Sequence, residues 1–238
     1  MKKKIVITGG TGRFGNHLKS IITNHKLFFP TKNQFNILKV NSMLKYFKKI
    51  KPDIVIHLAG FSRPMELHEK DINRSINLNI IGTANVTIAC SQKNIKLIYF
   101  STNYVYPGIK GNYNEEDPLK PFNNYAWSKL GGECSVMLYK NSLILRVCMT
   151  ERPFVHKKAF TNVKTSFLYQ DEVVKILFKL LNKKGIINVG GKAQNIYNFA
   201  KKENKNIKKI YQNKNSIKIP FDSTMNVKKL KKILKINS

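Results

Sequence analysis

Carboxylates are scarce in this chain. Its 238 residues hold 13 Asp+Glu against 43 Lys+Arg, a formal charge of +30 at pH 7, and the first acid in the chain is Asp53. Cysteine is scarcer still. Cys90, Cys134 and Cys148 are odd in number and show no C-x-x-C spacing. That excludes a disulfide scaffold and a cysteine-based zinc site, and it fits a reducing, cytoplasmic setting. His17, His25, His68 and His156 stand at no metal-ligand spacing with carboxylates, so no metal is expected. No apolar run approaches the ~18 residues of a membrane span. The start, Met1-Lys2-Lys3-Lys4, resembles the charged head of a signal peptide. Its apolar stretch, Ile5-Val6-Ile7, is far too short for one before Gly9 breaks it.

Lysine, by contrast, is everywhere. The segment from residue 201 onward carries twelve lysines against two carboxylates, and the excess runs through the rest of the chain as well. A nucleic-acid site more often shows a local basic patch interleaved with aromatics. The dispersed excess is therefore taken as compositional, with no nucleic-acid and no membrane partner expected.

Apolar runs alternate with helical periodicities. Lys4–Thr8, Leu27–Phe29, Asp53–Leu58, Lys96–Phe100 and Ser142–Arg146 have the character of buried strands. Between them, Asn16–Thr23, Val40–Ile50, Ile76–Ser91 and Tyr125–Tyr139 have that of helices. Further helices are expected over Asp171–Leu181 and Asn226–Leu234, with a strand over Ile186–Val189. The class implied is α/β, a Rossmann-type doubly wound parallel sheet. Residues 1–150 would form a dinucleotide-binding domain. Residues 151–238 would form a small C-terminal substrate-binding portion, from which a helix and strand at about 171–191 return to the core.

Directly after the first strand stands Thr8-Gly-Gly-Thr-Gly-Arg-Phe-Gly15. A strand before it and a helix after it give this glycine pattern its meaning. Gly9, Gly12 and Gly15 would allow a tight turn, close backbone approach to a pyrophosphate, and helix-on-strand packing, with the loop residues Arg13 and Phe14 beside them. An NAD-selecting site places an acid ~20 residues further on. Here Thr31-Lys32-Asn33 follows the second strand, so Lys32, with Arg13, is suited to a 2′-phosphate. NADPH is the expected cofactor over NADH, which remains possible.

Tyr125-Ala-Trp-Ser-Lys129 sets a phenol and an ammonium four residues apart, on one helix face. A neighbouring ammonium stabilises phenolate, so such a tyrosine can exchange a proton with a carbonyl near neutral pH. Ser101-Thr102 ends the preceding strand, at the sheet edge where open α/β folds bind ligands.

In this order the motifs resemble the extended short-chain dehydrogenase/reductase superfamily, and within it the dTDP-4-dehydrorhamnose reductase family and its sugar-nucleotide-binding relatives. The likeness rests on TGGTGRFG (8–15), VIHLAG (55–60), NIIGTANV (79–86), FSTNYVYPG (100–108), YNEEDPLKPFNNYAWSKLGGE (113–133) and LILRV (143–147). It implies an NADP(H)-dependent reductase of a nucleotide-linked 4-keto-6-deoxy sugar. Thr102 would polarise the carbonyl, Tyr125 would be the general acid, Lys129 would bind the nicotinamide ribose and tune Tyr125, and Asn79 would support Lys129. Ala59 and Gly60 would line the cofactor. Asn103 stands where the family usually has Asp, and it and Arg152 are the candidate substrate contacts. The Asp-Glu pair of sugar 4,6-dehydratases is absent after Thr102. A nucleotide-sugar epimerase and a non-catalytic NADP-binding regulatory protein are the alternatives, with dimerisation left open. His57 and Trp127 are taken as packing residues, and Glu115-Glu116-Asp117 as a structural loop.

Overall fold

The computed structural model describes residues 1–213 and 219–236. Five strands, β1 (Lys4–Thr8), β2 (Lys26–Phe28), β3 (Ile54–His57), β4 (Lys96–Thr102) and β5 (Ser142–Val147), join a sixth, Gly185–Val189. They form one parallel sheet in the order sixth–β5–β4–β3–β1–β2. Lys4 lies opposite Lys26, Ile5 opposite Ile54, and Ile54 opposite Lys96. The side chains of β3, β4 and β5 are buried throughout, as expected of a parallel sheet covered on both faces.

The helices follow the periodicity that the sequence carries. Val40–Ile50 buries Met43 and Phe47 on one face. It stops where Lys51 turns left-handed (φ 52°) and returns its N–H to the Phe47 carbonyl, just ahead of Pro52. Together with Val6, Val55, Val86, Leu97, Tyr99, Val136 and Ile144, these residues form the central core.

Boundaries differ from expectation in two informative places. The helix expected from Ile76 is preceded by single turns at Leu67–Lys70 and Ile72–Ser75. It then opens as a π-helical turn, Ile76–Ile81, before α-helix resumes over Gly82–Gln92. A period of 3.6 carries no trace of the inserted residue. The first helix begins at Arg13 rather than Asn16, because Gly12 already supplies its N-cap.

By contact the chain groups into two compact units, each discontinuous in sequence. One comprises Met1–Ser101, Asn124–Leu145 and Leu180–Ile186. The other comprises Thr102–Asn123, Arg146–Lys179 and Ile187–Ser238. The sequence suggested one boundary near residue 150; tertiary contacts cut the chain elsewhere. The second unit has its own apolar cluster around Phe154, Val163, Tyr169, Ile196 and Phe199. It is stitched by short pairs, among them Lys158–Phe160 with Lys208–Ile210 and Lys164–Thr165 with Gln194–Asn195. Its Arg146 is buried, donating to the Tyr106 hydroxyl (2.9 Å) and the Glu115 carbonyl (3.0 Å). The Glu115 carboxylate accepts from the Asn188 N–H (2.9 Å), which gives this acidic loop a structural role.

Candidate active site

The glycine turn is built by close approach. Gly9 adopts φ +72°, and a Cβ there would meet the Ala59 nitrogen at 2.7 Å. A Cβ on Gly15 would collide with the Gly9 carbonyl oxygen. The turn closes through Gly12 N–H to Gly9 O (2.9 Å), and no side chain caps the helix that follows. Phe14, expected beside a cofactor, is buried against the Phe100 ring at 5.1 Å. Only its backbone is free to face a ligand. Arg13 and Lys32 are both exposed. Asp53, the first acid in the chain, lies at the opposite end of the sheet, where it accepts from the Lys4 N–H at 2.7 Å.

Beside this turn, the Thr8 hydroxyl accepts from the N–H groups of Leu58 (3.2 Å) and Ala59 (3.0 Å). Its hydrogen is thereby directed to His57 Nδ1 (2.8 Å), and His57 Nε2 donates to the Thr83 hydroxyl (3.1 Å). The imidazole is buried, and desolvation holds its pKa down to about 3. His57 is thus a neutral structural link. Between the unfolded pKa and about 3 the unfolded chain binds the extra proton, so stability should fall as pH drops through that window. The loss is up to ~1.4 kcal/mol per pH unit. Denaturant melts from about pH 7 to pH 4 should show this slope, and His57→Gln should flatten it.

Asn79 sits buried in the π turn. Its Oδ1 accepts from the Phe61 N–H (2.7 Å), and its Nδ2 donates to the Phe61 carbonyl (2.8 Å) and the Ser128 hydroxyl (2.8 Å). Ser128 in turn donates to the Tyr125 carbonyl (2.7 Å). Asn79 therefore ties the turn after β3, including Gly60, to the helix Asn124–Met137 that bears Tyr125 and Lys129.

On that helix the Lys129 ammonium lies 4.2 Å from the centre of the Tyr99 ring. The Tyr99 hydroxyl donates to the Lys129 carbonyl at 3.1 Å. Burial pulls the Lys129 pKa down to about 7, opposed by Glu133 one turn further along. Glu133 is fully buried, and its Lys129-x-x-x-Glu133 spacing is the signal by which sequence reasoning could have found it. The Tyr125 ring meets His68 edge-on, 5.2 Å between centres. Trp127, expected to pack, is exposed instead. It lines an open groove of about 410 Å³ with His68, Ile72, Ile76 and Cys134.

The strand end after Phe100 carries two hydroxyls. Ser101 Oγ is buried with no hydrogen-bond partner among the described residues, an orphan of the kind that marks a site kept for a ligand. In the second unit, Thr102 Oγ1 accepts from the Tyr104 N–H at 3.3 Å. Among the described residues its own hydrogen has only a long 3.5 Å contact to Asn103 Oδ1. Asn103, expected to touch substrate, is buried. It donates to the Ser223 carbonyl (3.2 Å) and hydroxyl (2.9 Å), so its side chain anchors the segment 120 residues away. Arg152, the other expected substrate contact, lies 3.5 Å from Glu203, 3.8 Å from Asp171 and 4.0 Å from Glu172. It also stacks at 4.0 Å over the Tyr169 ring. Three carboxylates already answer its charge.

The model of the RmlD substrate binding domain family matches residues 2–189, most of the chain. The chain belongs to this family. Among curated relatives is the spore coat polysaccharide biosynthesis protein SpsK of Bacillus subtilis (strain 168). It is 31% identical over 148 residues, 60% of this chain and 52% of that protein. The methionine adenosyltransferase 2 subunit beta of Pongo abelii is 27% identical over 144 residues, 57% of this chain and 43% of the relative. The chain thus spans about half the length of the curated relatives it matches. Among solved structures, dTDP-4-dehydrorhamnose reductase from Bacillus anthracis in complex with NADP superposes with a TM-score of 0.86. It is 22% identical and covers 97% of this chain and 91% of that one. At that identity the likeness is one of fold.

Proposed function

We propose that this chain is an NADP(H)-dependent reductase of a nucleotide-activated 4-keto-6-deoxy sugar. The observation that carries this reading is the placement of Tyr125 and Lys129 one turn apart on the helix Asn124–Met137, with the Lys129 ammonium over the Tyr99 ring and Asn79 bonded to Ser128 between them. The residues present fit a dinucleotide: a turn in which glycine is required at Gly9 and Gly15, the Ala59–Gly60 turn held by Asn79, and the orphaned Ser101 hydroxyl. Gly9, Gly12 and Gly15 would hold the pyrophosphate, and Lys32 with Arg13 the 2′-phosphate. NADPH, when bound, would supply the hydride for the carbonyl carbon. Tyr125 gives its phenolic proton to the carbonyl oxygen, so one C–H and one O–H bond replace the carbonyl π bond. The Lys129 ammonium stabilises the phenolate left behind, and the weakly held Thr102 hydroxyl is assigned to the carbonyl oxygen.

The test is a panel of nucleotide-linked 4-keto-6-deoxy sugars with NADPH, following loss of reduced-nicotinamide absorbance. Turnover of one panel member is the expected result. Lys32→Ala should raise the KM for NADPH about tenfold and leave that for NADH unchanged, the size of a lost charge-assisted hydrogen bond. A second reading is favoured by the likeness to the methionine adenosyltransferase 2 subunit beta, a protein named as a subunit. Under it the chain binds NADPH without consuming it whatever sugar is offered.

A further inference from the structure

The charge excess, dispersed along the sequence, is gathered by the topology. In a parallel sheet every strand starts at the same edge. The residues at and just before the six strand starts, together with the helix end that leads into β3, are segments 1–4, 20–26, 48–53, 91–96, 137–142 and 181–185. They hold twelve lysines and one carboxylate, Asp53. Each strand brings at least one: Lys184 beside the sixth strand, then Lys140, Lys96, Lys51, Lys3 and Lys26 in sheet order. By contrast, the four residues after each of β1, β2 and β3 hold a single lysine, Lys32. All six segments belong to one compact unit.

Six strands ~4.8 Å apart make an edge ~24 Å wide. Such an edge is only about three ~8 Å Debye lengths of physiological salt across, so the fields of lysines gathered along it add. The crowding is already felt within the fold. The Lys96 ammonium donates to the Lys183 carbonyl at 2.6 Å, and its pKa is lowered to about 8 by desolvation and by Lys184 and Lys3.

The same edge carries bare apolar side chains. Ile22, before β2, is 99% exposed, and Leu138, before β5, is 87% exposed, with Met137 beside it at 57%. Lysines alone would suit any polyanion. Isolated aliphatic side chains projecting from a basic face suit a bilayer, where they enter the acyl boundary while the lysines meet phosphate headgroups. Nucleic acid would favour aromatic side chains on which bases stack. We propose that the strand-start edge of the sheet docks the protein on an anionic lipid bilayer. Its opposite edge, with the glycine turn, would then be directed away from the membrane.

The test is co-sedimentation of the full chain with phosphatidylcholine vesicles, with or without phosphatidylserine at about 30 mol% and in about 0.1 M salt. Binding should require phosphatidylserine. A triple variant at the edge, Lys26→Glu with Lys93→Glu and Lys184→Glu, should lose at least ~100-fold in affinity, at roughly fivefold per lysine removed from the surface. A charge-matched triple outside this edge in the same unit, Lys39→Glu with Lys45→Glu and Lys70→Glu, should lose under about a tenth as much. Ile22→Ser with Leu138→Ser should weaken vesicle binding roughly tenfold while leaving binding to a mixed-sequence single-stranded oligonucleotide unchanged. Circular dichroism melts confirm that each variant is folded, and the same sites changed to Gln serve where Glu disturbs folding. Equal loss from both triples, or no dependence on phosphatidylserine, would overturn the proposal. So would an edge triple that weakens oligonucleotide binding as strongly as vesicle binding with no effect of Ile22 and Leu138, since the face would then belong to nucleic acid.

Discussion

Tyr125→Phe is expected to lower kcat by ~10²–10⁴-fold, the usual contribution of a positioned general acid, with NADPH affinity within about twofold of wild type. The ring remains and still meets His68 edge-on, and Ser128 bonds the Tyr125 backbone carbonyl rather than the phenol, so the helix should hold its place. The phenolic hydroxyl is removed, and with it the transferable proton. Steady-state turnover with a nucleotide-linked keto sugar, paired with a fluorescence titration of NADPH, separates the two effects. Wild-type turnover by the phenylalanine variant would sink the mechanism. The pH profile supplies a second readout. Burial brings Lys129 to about 7, so its ammonium is lost as pH rises through neutrality. The kcat/KM for reduction, which reports the free protein, should fall over the same range, and Lys129→Met should abolish that limb along with most activity.

Gly9→Ala is expected to damage both the stability of the fold and the turn that would hold the cofactor. At φ +72° an L-residue carries ~1–2 kcal/mol of backbone strain. In addition, its Cβ would stand 2.7 Å from the Ala59 nitrogen and 2.9 Å from the Ala59 Cα, both backbone atoms that cannot swing aside. The turn must open, and with it the Gly12-to-Gly9 hydrogen bond. We expect a loss of ~2–4 kcal/mol in stability, seen as a melting temperature lower by roughly 5–15 °C. NADPH affinity should fall by at least ~100-fold, equivalent to ~2.7 kcal/mol. Gly185→Ala is the control. Gly185 also has positive φ (+84°), but beyond its two chain neighbours no atom of the described residues lies within 4 Å of a Cβ there, so only the strain should register.

Much of this architecture was legible because it depends on local chemistry. A buried parallel strand must be a short apolar run, and β1, β3, β4 and β5 are such runs. A helix end marked by Pro52 stops where it should. The glycine turn and the Tyr125–Lys129 pair are short-range patterns, so their spacing alone placed them on a turn and on one helix face. The π turn at Asn79 escaped because one inserted residue leaves no periodic mark. The two- and three-residue strands of the second unit are too short to have a pattern. Ser128 and Glu133 were missed although each stands one turn from a residue already chosen.

The residues whose roles changed are those whose partners lie far away in the chain. Asn103 looked like a substrate contact until Ser223 took its amide. Arg152 looked like a second substrate contact until Asp171, Glu172 and Glu203 surrounded it. Trp127 looked like core and is exposed. Nothing in the neighbouring sequence distinguishes these outcomes, because burial and ion pairing are set by long-range packing.

The order of strands and helices, the glycine turn, the Tyr125–Lys129 pair and the missing acid after β2 were determined by the sequence itself, through local sterics and the periodicity of apolar side chains. Tertiary structure decided which polar side chains are enclosed and neutral, as His57 is, and which are answered by a distant partner. It also decided where the lysines collect, since parallel pairing brings six separate segments to one edge and turns a dispersed composition into a single basic face.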